Sequence, residues 1–187
     1  KAIQESCEEY FCRNPYNDWF KKLDYIISGT NTSYYFPSSK ACHLDLIPYA
    51  TSCKWTDLTS YQRSLLLEIT GDTLGLLLQH SPVELIILNG QAVVDNFQKV
   101  SGITFEKVEM PEWKLPRKST DGVMGYAYKG MITNLGGIDL KRNIMVLGYN
   151  HNIQSSFGVT KTVLTSIRNW ISTTSKQLIR CGLEIEY

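Results

Sequence analysis

A short buried-looking strand pattern lies late in the chain. Residues 144–147 (Ile-Met-Val-Leu) are unbroken apolar, as in a strand covered on both faces of a parallel sheet. Gly148 ends the run, and the nine residues from Tyr149 to Phe157 follow. Seven of these carry hydrogen-bonding side chains: Tyr149, Asn150, His151, Asn152, Gln154, Ser155 and Ser156. Beyond Gly158 the period changes to that of a helix. Thr160 stands as its N-cap, and Val163, Leu164, Ile167, Trp170, Ile171 and Leu178 share one face. This is strand, polar loop, helix, and the carboxyl end of such a strand is where open α/β sheets bind ligands. A satisfied structural loop is the alternative.

The rest of the pattern supplies further elements. Ala2 to Cys12 reads as a helix containing Glu5, Glu8 and Glu9. Asn14-Pro15 restarts the chain as cap and first helical residue, Trp19, Phe20, Leu23, Ile26 and Ile27 form an apolar face, and Gly29 stops this helix. Tyr16 and Trp19 fit core packing. Ala41 to Pro48 reads as a strand ending at proline, with His43 and Asp45 on one face. Two ionisable groups there suit either a site or a structural pair. Thr59 to His80 is a long helix in which Gly71 and Gly75 are possible interruptions. Glu84 to Leu88 is a buried strand, and Asn89-Gly90 leads directly into the helix Gln91 to Val100. Such a junction is a weak phosphate cradle, since neither a Walker lysine nor G-x-G-x-x-G is present. Ile103 to Met110 and Val123 to Ile132 alternate as strands of an antiparallel excursion. Between them Lys114, Arg117 and Lys118 make a basic loop that suits solvated charge or a phosphate contact. Asn134 to Arg142 returns to the central strand, and Leu183 to Tyr187 could add an edge strand. Tyr34, Tyr35 and Phe36 cluster in a loop, either as a lid over a core or as a stacking surface for a planar ligand.

These elements in 187 residues imply an α/β fold, a three-layer α/β/α sandwich with a short, mainly parallel central sheet, in one domain. A formal net charge of +1 gives no global signal for nucleic acid, although a local basic rim suffices for binding. No apolar run approaches the ~18 residues of a membrane span, and no secretory signal is present. The five cysteines include no C-x-x-C pair and match no standard metal spacing, so no cofactor or metal is expected. They read as reduced, mostly buried thiols of a cytoplasmic protein. The chain opens at Lys1 without methionine inside a helical pattern, which suggests a missing upstream segment.

With strand ends at Asp45, Asn89 and Asn150, the order of parts from about Ala41 to Thr174 resembles the uracil-DNA glycosylase superfamily. In that family a strand ends in an amide that reads a flipped base; Asp45 stands there in His-Leu-Asp-Leu-Ile-Pro. A later apolar strand runs into glycine and a helix, matched by Ile-Ile-Leu-Asn-Gly-Gln-Ala-Val-Val, residues 86–94. A last strand opens a loop of the H-P-S-P-L-S or N-P-S type, here Tyr-Asn-His-Asn-Ile-Gln-Ser-Ser-Phe-Gly-Val-Thr. This loop lacks proline and has two extra polar residues. The family's water-positioning motif is not identifiable: it lies upstream of Lys1, or the activity is absent.

The resemblance implies a DNA or nucleotide partner and base recognition or excision. Asp45 or Asn89 would read a base edge, with Tyr34, Tyr35 or Tyr149 stacking on it, Ser155 and Ser156 holding phosphate and His151 stabilising the departing base. A carboxylate at Asp45 only accepts, which would favour a base presenting donors. A non-catalytic module binding nucleotide or nucleic acid through the same loops is the competing account. A third, a hydrolase pairing Ser155 or Ser156 with His43 or His151, lacks the G-x-S-x-G elbow. Asp45, Asn89 and the Asn150–Ser156 loop are expected to converge on one sheet edge.

Overall fold

A computed structural model describes residues 9–13, 17–49, 51–118 and 120–183, with the side chains of Arg13, Asn17 and residues 178–183 excepted. The helices are α1 (Tyr10–Arg13), α2 (Asn17–Ile27), α3 (Ser60–Gln79), α4 (Gln91–Ser101) and α5 (Lys161–Leu183). The strands are β1 (Leu85–Asn89), β2 (Glu106–Leu115), β3 (Val123–Leu135) and β4 (Ile138–Tyr149). The fold is α/β, with a four-stranded sheet in the order β1-β4-β3-β2. The chain divides into two compact units. One comprises Lys1–His43, Met110–Gly125 and Asn152–Tyr187; the other comprises Leu44–Glu109 and Tyr126–His151.

The second unit holds most of the sheet. Its core gathers Leu88, Val94, Phe97, Tyr128, Ile144 and Val146 with further apolar residues of α3, β3 and β4. Residues 144–149 are all buried, as their unbroken apolar pattern requires, but the sheet is not mainly parallel. β1 pairs parallel to β4, from Leu85↔Met145 to Asn89↔Tyr149, whereas β3 pairs antiparallel to β4. The cause is local. Gly136 and Gly137, at φ 58° and 82°, close a two-residue connection between β3 and β4, and so short a link joins only antiparallel strands. Burial on both faces says nothing about the direction of a strand's neighbours.

α3 begins at a capping box: Gln62 N–H donates to Thr59 Oγ1 (3.2 Å), and Thr59 N–H donates to Gln62 Oε1 (2.9 Å). Gly71 and Gly75 do not interrupt it. Both are buried, and a Cβ on Gly75 would strike the Leu135 carbonyl oxygen, so glycine here lets the helix backbone approach the end of β3.

The first unit is built on α2 and α5, whose apolar faces carry Phe20, Leu23, Ile26 and Ile27 and, from the other helix, Val163, Ile167 and Ile171. Tyr25 and Thr165 share a hydroxyl–hydroxyl bond (2.8 Å), and Arg168 Nε–H donates to Ser28 Oγ (2.9 Å). Gly29 serves this contact rather than ending α2. A 3₁₀ turn, Ser28–Thr30, continues past Ile27, and a Cβ on Gly29 would lie 2.6 Å from the Arg168 carbonyl oxygen. Thr160 caps α5 as expected, accepting from Val163 N–H (3.3 Å). Trp19 is 43% exposed rather than core. β2 runs on to Leu115, because Trp113 and Leu115 are buried at alternate positions beyond Pro111. The first part of what the pattern suggested as a basic loop, including Lys114, is therefore strand, whereas Arg117 and Lys118 lie beyond it.

Ala41 to Pro48, expected as a strand, forms none; Leu46 packs on the second unit's core. Cys12, Cys42 and Cys53 are exposed thiols rather than buried ones, the last two in irregular segments with no apolar face to shelter them. Cys7, Asn14, Pro15, Tyr16 and residues 184–187 lie outside the described residues, and Leu183 is the last residue of α5. No helix among the described residues is long and apolar enough to cross a membrane.

Arg142 on β4 holds the end of α3. Its Nη2 donates to the carbonyls of Leu78 (2.6 Å), Ser81 and Val83 (3.3 Å), and its Nη1 to that of Gln79 (3.3 Å). Leu78 and Gln79 close the last turn of the helix and Ser81 and Val83 belong to the segment that follows, so the guanidinium ties the helix end to its exit, where a cation also favours the helix dipole. Arg142→Ala should therefore lower unfolding stability by about 1.5–3 kcal/mol, the worth of hydrogen bonds to a charged group. Arg142→Lys should recover only part of this, lacking the planar fork. Urea denaturation with an unchanged m-value is the check.

Candidate functional site at the carboxyl ends of strands β1 and β4

In the second unit the parallel pair ends in a bonded polar cluster. Gly90 leaves β1 at φ 103°, ψ 152°, a conformation open to glycine and strained for other residues. This turn aims two N–H groups across at β4: Gly90 donates to the Tyr149 carbonyl and Gln91 to the Asn150 carbonyl, both at 2.9 Å. The phosphate cradle conceivable at this junction is thus closed, because its first N–H groups are already engaged within the chain. Asn150 also reaches the third strand. Its Oδ1 accepts from Tyr126 N–H (2.8 Å), and its own N–H donates to the Tyr126 carbonyl (3.2 Å). Tyr128 OH donates to Gln91 Oε1 (2.7 Å), and Gln91 Nε2 donates to Asp95 Oδ1 (2.7 Å).

Asn89 and Asn150 are thereby brought to one sheet edge, as expected, and Asn89 is half-buried there. His151 follows directly and is 3% exposed. Tyr149 is 1% exposed, so its ring belongs to the core and offers no stacking face to a ligand. Asp45 is exposed and lies outside any strand, so the alternation expected to set it beside His43 does not operate.

The remaining residues belong to the first unit. Asn152 organises the loop: its Oδ1 accepts from the N–H groups of Gln154 (3.1 Å) and Ser155 (3.2 Å), and its carbonyl accepts from Ser156 N–H (2.8 Å). Gln154 is half-buried, while the hydroxyls of Ser155 and Ser156 make no hydrogen bond among the described residues and are available. Phe157, not singled out by sequence, is 70% exposed. Its carbonyl accepts from Arg117 Nη1 (2.8 Å), and its ring lies 5.7 Å from that guanidinium. The signal for it was a lone aromatic closing a run of polar residues. The neighbouring charges are partly neutralised: Lys114 pairs with Asp121 at 2.8 Å and holds that carboxyl below its ordinary range.

His43 and the aromatic triplet also lie in the first unit. The His43 ring meets Phe20 edge-on at 5.2 Å. Tyr34 is buried and stacks on Phe11 (5.1 Å, 13°), which leaves no face for a base. Burial, with the Asp24 carboxylate beside it, pushes its phenol up from the ordinary value. Tyr35 is half-buried edge-on to Phe11 at 5.4 Å, its phenol likewise raised by burial. Only Phe36, 82% exposed, stands open. An open groove of about 460 Å³ runs along α5 between Lys161 and Asn169, but the hydroxyls of Thr165 and Ser166 in it are engaged by Tyr25 and by Trp113 Nε1–H. No group of three or more His, Cys, Asp or Glu side chains among the described residues is placed to hold a metal ion.

No family model, curated protein or solved structure matches the chain.

Asn150 is the joint of this cluster. Asn150→Ala should cost about 1–3 kcal/mol, since it leaves the Tyr126 N–H without its acceptor. The amide hydrogen of Tyr126 should exchange faster in the variant, while amides in the middle of α5 keep their protection.

Proposed function

We propose that the chain binds a nucleobase of DNA at the carboxyl-end edge of β1 and β4. The observation that carries this reading is the joined strand end itself. A parallel pair closes at Asn89 and Asn150, with a half-buried amide at the last residue of β1. Open α/β sheets bind ligands at this end, and a side-chain amide both gives and accepts, as a base edge requires. The resemblance over residues 41–174 supplies the ligand class. Tyr149 and Tyr34 drop out as stacking partners, because both rings are buried.

A second reading is that the chain excises the bound base, and one observation favours it: His151 is buried immediately beyond the end of β4. A donor in a dry setting stabilises charge on a leaving group more strongly than one in water.

Binding is tested by fluorescence anisotropy on single-stranded oligodeoxynucleotides carrying uracil, hypoxanthine or other modified bases. Ser155→Ala/Ser156→Ala removes two neutral hydrogen bonds of about 0.5–1.5 kcal/mol each, so affinity should fall by roughly tenfold with the fold unchanged. An unchanged isotherm would move the phosphate contact away from these hydroxyls. For excision, abasic product is read by alkaline cleavage, and His151→Ala should slow its release by about 10²–10³-fold. Binding without abasic product across the panel would leave the binding module as the account.

A further inference from the structure

A cation stands at the rim of the strand-end cluster. Lys107, exposed near the start of β2, places Nζ 3.8 Å from the centre of the Tyr126 ring and 6.0 Å from that of Tyr128. Those rings lie on one face of β3, at the level of β4's carboxyl end, since Ala127 pairs with Tyr149 and Tyr128 with Gly148. Both are tied to the cluster, Tyr126 through Asn150 and Tyr128 through Gln91. The contrast with Lys129 is informative. Lys129 pairs with Glu106 at 3.1 Å, whereas no carboxylate among the described residues pairs with Lys107. An ammonium resting on an aromatic face keeps N–H donors directed away from the ring, and the ring fixes its position.

Resting on the base-binding reading, we infer that Lys107 is the anion contact of the strand-end site and takes a phosphate of the nucleotide whose base is bound there. Three probes separate the possible phosphates: thymidine, thymidine 5′-monophosphate and a short single-stranded oligothymidylate, titrated calorimetrically between about 50 and 200 mM salt. Lys107→Ala should weaken binding of a phosphate-bearing probe by roughly two- to five-fold, the range for an exposed ion pair. It should also reduce the slope of log K against log salt for the oligonucleotide by about 0.7, the share of one phosphate on a single strand. Thymidine binding should not change, Lys107→Arg should restore the slope, and Lys129→Ala, an equal loss of charge, should leave it alone. A penalty on the monophosphate assigns the contact to a terminal phosphate; one confined to the oligonucleotide assigns it to the backbone. If Lys107→Ala matches wild type in affinity and slope while Asn150→Ala weakens binding, the inference fails and the base-binding reading stands. If wild type binds none of the probes, both fall.

Discussion

The second unit depends on the turn at Gly90. An eleven-residue helix follows β1 with no intervening loop, so the chain turns within one residue, and Gly90 does this at φ 103°, where a side chain would be strained. The same turn delivers the N–H groups of Gly90 and Gln91 to the carbonyls of Tyr149 and Asn150. Asn150, held in this way, sets its side chain against Tyr126 and brings β3 into the joint. A strand end that would otherwise expose unpaired backbone groups becomes a connected network, and polar groups at the margin of a core are stable only when so connected.

This joint determines what the edge can do. Because the N–H groups of Gly90 and Gln91 are engaged, a ligand bound at this edge would be met by side chains. The half-buried Asn89, the buried His151 and the tyrosine-backed Lys107 differ in burial and in chemistry: an amide, an imidazole and a cation. That combination suits a ligand with both a hydrogen-bonding edge and a negative charge better than it suits a bare anion.

The first unit follows a different principle. Its two helices carry an apolar seam with polar ties beside it, Tyr25 to Thr165 and Arg168 to Ser28, and Gly29 permits their close approach. The β2–β3 connection is held to the polar loop within this unit through Arg117, and Gly158 lies against Pro116, where an added Cβ would be 3.3 Å from Pro116 Cδ. The exposed Phe157 is thus presented on a braced loop.

Elements whose information is local were legible from sequence. α3 was legible as the long helical stretch Thr59 to His80, α4 by Asn89-Gly90, α5 by Thr160, and the core of β4 by four consecutive apolar residues. The strand-end location of Asn89 and Asn150 was legible too, since Asn89 directly follows an apolar run and Asn150 opens the polar stretch just beyond one. Tertiary structure decided what depends on partners distant in sequence. The direction of β3 beside β4 followed from a Gly-Gly turn whose consequence alternation alone does not reveal. Ala41 to Pro48 reads like a strand but does not form one, because a strand exists only where another pairs with it. The tyrosines looked alike in sequence, yet Tyr34 and Tyr149 became core while Tyr126 received a lysine. Periodicity records which side of an element is apolar; which neighbour meets that side, and whether a polar tip reaches solvent or a partner, is settled only when the elements pack.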